Sequence, residues 1–250
     1  TVVLPWNDAE ACVKILEKQG RDIAALIVDP LMANAGLLVP QEGFLQRLRE
    51  VTERLGIVLI FDEVISFRVA PGGAQQRFGV RPDLTTLGKI IGGGLAVGAF
   101  GGRAEVMNYY DPRGGKGRIS HGGTFNANPV TMAGGVATMQ ELTPEAYARL
   151  DALGDRLRAG VKRILSKGKQ PAQVTGLGSL FWIHWTKKRL SDYRSRVPAD
   201  AERPLRTFMA LLNDGVLLTQ RGLGCCSLAM TDADVDRFLE TFGRVVEKEA

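Results

Sequence analysis

At 250 residues the chain can bury a sizeable core and hold one large domain or two modest ones, given the usual ~100 to 200 residues per domain. Its 45% hydrophobic and 24% charged composition excludes disorder, and its apolar runs fall far short of the ~20 residues of a membrane helix. Thirty-two Lys and Arg against 27 Asp and Glu leave a net charge of +5 scattered among acids, a poor footing for a nucleic-acid partner.

In chain order, Thr1 is no initiator methionine and is followed by neither a basic leader nor an apolar signal core, so the start of the protein is expected upstream. Asn7 is expected to cap a helix over residues 9–19, with Glu10 in its first turn and Gly20 as its stop. Residues 23–28 read as a buried strand. Phe44, Leu45, Leu48, Val51 and Leu55 then fall at helical spacing, and residues 57–61 read as a second strand. Strand, helix, strand favours parallel pairing, and ligands of parallel sheets gather beyond the carboxyl ends of the strands. Asp62 sits at such an end. Residues 83–87 and 97–101 read as further short strands, which sets Lys89 just past another strand end.

Asn128 followed by Pro129 signals a cap and first turn, opening a helix to about Leu142 in which Gly134 and Gly135 point to close packing. Thr143-Pro144 starts the next helix, with Tyr147, Leu150, Leu153, Leu157, Val161, Ile164 and Leu165 on one face, ended by Gly168 and Pro171. Beyond it come a strand over 180–185, a helix over 205–213, a short strand over 216–218 and a final helix over 232–247. The expected division is an α/β domain over 1–142 with a mostly parallel sheet and a smaller α+β domain over 143–250.

Three cysteines, two of them adjacent at Cys225 and Cys226, have neither metal-ligand spacing nor a disulfide framework, which fits a reducing cytoplasm. His121 and His184 lie in no zinc or triad motif, so no metal is expected. The one dense basic patch, Lys187, Lys188 and Arg189 with Arg194 and Arg196, reads as solvated surface.

The run IVLIFDEV over 57–64 puts an acidic pair where a hydrophobic strand ends. Two sites use that pattern. In a P-loop ATPase the Asp holds magnesium, but Gly88-Lys89 and Gly115-Lys116 fit neither the spacing nor the Ser/Thr of the required loop, which would have to lie upstream of Thr1. In a pyridoxal phosphate pocket the Asp holds a proton on the ring nitrogen, and a lysine joins the cofactor aldehyde as a Schiff base, then shuttles a proton. Asp62 and Lys89 suit those roles; both tasks of Lys89 need a neutral amine, which burial favours.

Four segments carry a resemblance: LIFDEV at 59–64, GGAQ at 72–75, PDLTTLGKIIGGGLAVGAFGG at 82–102 and GGTFNANPVTMA at 122–133. With them the chain resembles the class III aminotransferases, in particular the glutamate-1-semialdehyde 2,1-aminomutase branch, with the N-terminal part of that family absent. The resemblance implies the large domain of the pyridoxal-phosphate-dependent fold type I enzymes, with pyridoxal 5'-phosphate as cofactor. It implies that Asp62 binds the ring nitrogen, Val64 packs on a ring face and Lys89 is the Schiff-base lysine. It also implies a homodimer in which Thr124 reaches the phosphate of the partner's cofactor. The substrates implied are a small-molecule amino donor and a 2-oxo acid.

Some residues depart from the aminomutase pattern. Asp29 replaces a usual Glu, whereas Asn34 is aminomutase-like. The DEVISFR run is one residue shorter than its counterpart, so Ile65 and Ser66 are expected to alter substrate access. Met230 replaces a His, and the segment 220–224 lacks an acidic residue but offers Arg221, whose planar guanidinium suits a substrate carboxylate. Intermolecular amino transfer and intramolecular amino shift therefore both stand, beside cofactor binding without catalysis.

Overall fold

A computed structural model describes residues 1–113, 119–168, 171–197 and 200–248. Gly115 and Lys116 lie outside the described residues. Two compact units emerge: one comprises residues 1–4, 8–30 and 42–143, the other residues 5–7, 31–41 and 144–250.

In the first unit α1 (Ala9–Gln19) leads to β1 (Ala25–Val28), α2 (Phe44–Leu55), β2 (Val58–Asp62), α3 (Gly73–Phe78), β3 (Leu84–Gly88), β4 (Gly98–Gly102), α4 (Ala104–Met107) and α5 (Pro129–Glu141). The sheet order is β1-β2-β3-β4; the first three strands are parallel and β4 runs antiparallel to β3. Alternation sends Leu26, Val28, Leu59 and Phe61 to one face, where all are buried. Helix α2 packs against β2 and α1 against α2. The i, i+1, i+4, i+7 spacing of Phe44, Leu45, Leu48 and Val51 explains why α2 forms here, since that apolar stripe is buried at about 1.5–3 kcal/mol per large side chain. Gly56, left-handed at φ 69°, ends it.

The cap of α1 is Asp8, which accepts from the Ala11 amide at 3.0 Å, and not Asn7. Asn7 has φ 64° and accepts from the Gln41 amide at 2.8 Å, so its side chain is already spent.

In the second unit α6 (Pro144–Lys167), β5 (Gln173–Thr175), β6 (Leu180–His184), α7 (Arg203–Asn213), β7 (Leu223–Cys225) and α8 (Asp232–Lys248) follow in order. The three strands form an antiparallel sheet with β6 in the middle. Leu153, Leu157, Val161 and Leu165 of α6 meet Phe181 and Ile183 of β6 and Val235, Phe238 and Phe242 of α8 in one core. The third strand is 223–225 instead of the expected 216–218; Val216 and Leu218 pack on the core from an irregular segment. Arg196 also leaves the basic patch: half-buried, its guanidinium lies 4.5 Å from the Tyr193 ring centre and 5.8 Å from that of Trp182. Among the described residues no helix is long and apolar enough to cross a membrane.

Candidate active site

Asp62 is the last residue of β2, and its partner across the parallel ladder is Thr86 of β3. Its Oδ1 accepts from the Val64 amide at 3.1 Å and the Thr86 hydroxyl at 3.2 Å, while Oδ2 has no partner among the described residues. The carboxylate is thus held by one oxygen and leaves an acceptor over. Asp62 and Thr86 share a sheet face with Ile27, Ile60, Leu84 and Phe100, opposite the face that carries Leu59 and Phe61.

Lys89 follows β3 directly, three residues past Thr86. Its φ is 51°, a left-handed conformation that costs a non-glycine residue about 1–2 kcal/mol and persists only where the surroundings enforce it. The enforcement comes from both sides. Gly88 is buried, and a Cβ there would lie 3.3 Å from Cγ1 of Val64, so Val64 closes over the residue preceding the lysine. Beyond the lysine the glycine turn packs on α5, where a Cβ on Gly93 would overlap the Gly134 carbonyl and one on Gly135 that of Ile91. The expected close packing of Gly134 and Gly135 is therefore against the segment that carries Lys89. The lysine itself is exposed, not buried, in this chain.

Thr124 is exposed on the turn before α5, where the Asn126 amide donates to Gly123 O at 3.0 Å. Asn128 caps α5, accepting from the Val130 and Thr131 amides at 3.0 and 3.3 Å, with Pro129 in the first turn as the sequence implied. Sequence reasoning missed an aromatic group nearby. Phe100, the strand partner of Thr86, meets Tyr110 at 5.3 Å and His121 at 5.4 Å between ring centres. It also missed Thr86 itself, which register with the strand before it would have paired with Asp62. Ser66 was expected to alter access but is fully buried, its hydroxyl donating to Glu63.

Arg221 belongs to the second unit. Thr219 closes the turn that displays it, accepting from the Gly222 amide at 2.9 Å through its carbonyl and from the Leu223 amide at 2.9 Å through its hydroxyl. Arg221 is exposed and has no hydrogen bond or ion pair among the described residues.

The model of the family described as aminotransferase class-III matches residues 5–246. The chain belongs to the class-III aminotransferases. It is 42% identical over 252 residues to glutamate-1-semialdehyde 2,1-aminomutase 2 of Brevibacillus brevis, covering 99% of this chain and 58% of that protein. It is 41% identical to the beta-phenylalanine transaminase of Variovorax paradoxus, over 98% of this chain and 56% of the relative. Among solved structures an omega-transaminase from Sphaerobacter thermophilus superposes with a TM-score of 0.95 at 48% identity, over 98% of this chain and 57% of that one. The fold is thus that of the fold type I transaminases, and the chain spans just over half the length of the relatives it matches.

Class-III aminotransferases depend on pyridoxal 5'-phosphate. The residues fit that group: a carboxylate with one unclaimed oxygen, a valine two residues on and an exposed lysine on a strained turn stand at the ends of adjacent parallel strands.

Proposed function

We propose that the chain belongs to a pyridoxal-phosphate-dependent aminotransferase that moves an amino group between an amino acid or amine and a 2-oxo acid. The observation that carries this reading is the pairing of Asp62, with its unclaimed Oδ2, and Lys89, left-handed past the neighbouring strand. When bound, the cofactor supplies an aldehyde to which an amine can attach and a ring that draws electrons from the bond being broken. Asp62 accepts from the ring nitrogen and keeps its proton in position, a charged hydrogen bond worth roughly 1.5–3 kcal/mol. Val64 packs on one face of the ring. Lys89 Nζ would be the attachment point for the cofactor, and its free amine would be the group that takes and returns a proton at the substrate carbon. Thr124 donates its hydroxyl to the phosphate beside the start of α5, where amides favour an anion. Arg221 grips a substrate carboxylate.

Thr124 is assigned to the cofactor of a second copy of this chain, making the enzyme a homodimer. Helix α5 supports this. It is apolar nearly all round, with no charged residue before Glu141, yet Val130 and Val136 are 68% and 57% exposed and Phe125 ahead of it 83%. Such a helix is normally covered. Residues 1–142 form part of the cofactor-binding large domain and 143–250 the small domain. None of the three cysteines forms a disulfide among the described residues, and the enzyme is assigned to the cytoplasm.

Borohydride reduction of cofactor-loaded full-length protein, followed by peptide mass mapping, tests the assignment. The expected adduct is on Lys89; an adduct on another lysine refutes it. The second reading is the aminomutase, favoured by Asn34 and the similarity to the Brevibacillus brevis protein. It predicts turnover of glutamate 1-semialdehyde with no added oxo acid, whereas the transferase requires an external acceptor.

A further inference from the structure

Glu63 stands between Asp62 and Val64, and its side chain is fully buried. Its carboxylate collects four donors. Oε2 accepts from the Ala74 amide and from the Ser66 hydroxyl at 3.3 Å; Oε1 accepts from the Gln75 amide at 3.0 Å and the Gln75 carboxamide at 3.1 Å. None of these donors is a cation. The Gln75 carboxamide also reaches the Thr85 hydroxyl of β3 at 3.2 Å. The backbone joins in, since the Glu63 amide donates to Thr86 O at 3.0 Å and the Phe67 amide to Glu63 O at 3.1 Å. One carboxylate therefore ties the exit of β2 to the start of α3, and through Gln75 to the strand that leads to Lys89.

Burial pushes the Glu63 carboxyl up from its ordinary range, while the Ala74 and Gln75 amides pull the other way. A buried carboxylate without a cation is a costly way to close a turn, and its merit is that two oxygens fix four donors at once. Gly73 fits around it: φ is 73°, and a Cβ there would overlap the carboxylate.

We propose that Glu63 is a positioning residue, holding the turn after β2 so that the Asp62 carboxylate and the Val64 side chain keep their stations against the cofactor ring. The path is short. Asp62 is oriented by the Val64 amide, and that amide belongs to the turn that Glu63 anchors. A Gln at position 63 would fill the same space but turn an NH2 group toward two of the four donors. This proposal rests on the cofactor reading above.

The test uses full-length protein carrying pyridoxal 5'-phosphate, compared as wild type, Glu63→Gln, Gln75→Ala, Asp62→Asn and the Glu63→Gln, Asp62→Asn double variant. Cofactor dissociation constant, pH midpoint of the bound-cofactor absorbance band and kcat are read well below the thermal midpoint of each. For Glu63→Gln we expect affinity to fall on the order of tenfold, the size typical of partners that orient a site ligand. The absorbance midpoint should move, and the double variant should lose less than the sum of the singles. Gln75→Ala, which removes one donor, should do the same on a smaller scale and serves if Glu63→Gln does not fold. A lower thermal midpoint with unchanged affinity, absorbance midpoint and kcat would reduce Glu63 to a packing residue and overturn the proposal. If wild type yields no Lys89 adduct, the cofactor reading fails first and this proposal with it.

Discussion

Gly93 and Gly134 meet backbone to backbone, so closely that a Cβ on Gly93 would overlap the Gly134 carbonyl oxygen. Gly93 also has φ 59°. This contact fixes the turn after Lys89 against α5, the helix that begins just beyond Thr124. Gly93→Ala must both displace α5 and adopt a left-handed conformation, so it should cost about 3 kcal/mol in urea unfolding. The neighbouring Gly94 is a control: its φ is 93°, but nothing lies within 4 Å of its Cβ position. Gly94→Ala should cost about 1 kcal/mol, the conformational part alone. Equal losses in the two variants would show that the packing against α5 contributes nothing.

At the opposite end of β3 lies an ion-pair knot. Asp83 accepts from the Leu59 amide at 2.7 Å, from Arg49 at 2.9 Å and from Arg103 at 3.0 Å. Burial raises the Asp83 carboxyl, but the Leu59 amide and the two arginines outweigh it and hold the carboxyl below its ordinary range. The stability it contributes is therefore present above the unfolded carboxylate range and is lost as pH falls through the lowered folded value. Asp83→Asn should cost about 3 kcal/mol, because it strands a half-buried Arg49. Arg103→Ala should cost far less, since that side chain is 55% exposed and its ion pair is screened by water. Denaturant midpoints at neutral pH would separate the two.

The longer elements were legible in the sequence because apolar spacing and end signals agree. Helices α2, α5 and α6 begin and end within a residue or two of expectation, with the apolar spacing of residues 44–55, Asn128 and Pro144 as their signals. The acidic pair after β2 and the lysine after β3 were legible as strand-end residues. What escaped depends on tertiary partners. Strand β5 is only three residues, and Thr175 at its end donates to Gly36 O at 2.9 Å, a partner 139 residues away. Neither the left-handed backbone of Lys89 nor the burial of Ser66 has a local signal. GGAQ was read as a family mark, while the reason for its Gly73 and Gln75 is the Glu63 carboxylate ten and more residues upstream.

His184 on β6 is buried, stacks on Trp182 at 5.9 Å between ring centres and lies 2.8 Å from the Thr175 hydroxyl through Nε2. The Thr175 hydroxyl also lies 2.9 Å from Gly36 O, and a hydrogen bond of the His184 ring to the Gly36 backbone favours the charged ring. Burial, aided by the charge of Arg196, pushes its pKa down to about 4 from an ordinary 6.5. The unfolded chain thus binds a proton that the folded chain refuses, and stability falls as pH drops from 6.5 toward 4. By pH 5 the loss should reach roughly 2 kcal/mol relative to neutral pH. His184→Gln should flatten that part of the profile, as measured by urea midpoints at several pH values. An identical slope in the variant would assign the pH dependence to other groups.

Arg221 carries the sharpest prediction about substrates. Its guanidinium is exposed and without a partner among the described residues, and the backbone beneath it is fixed by Thr219 and by Gly222 at φ 93°. A Cβ on Gly222 would lie 2.8 Å from Ile183 O, so the turn sits hard on β6 and cannot easily swing. An arginine held in this way is suited to bidentate recognition of a carboxylate, which loses affinity when the fork is removed. In the full-length enzyme, Arg221→Ala should lower kcat/KM for a carboxylated donor about 10- to 100-fold, corresponding to a charged hydrogen bond of ~1.5–3 kcal/mol. The amine of the same skeleton without the carboxylate should be nearly unaffected. Arg221→Lys should recover part of the loss, because the charge remains but the planar pair of donors does not. Equal losses on both donors would instead mean that the turn supports folding and that the carboxylate is bound elsewhere.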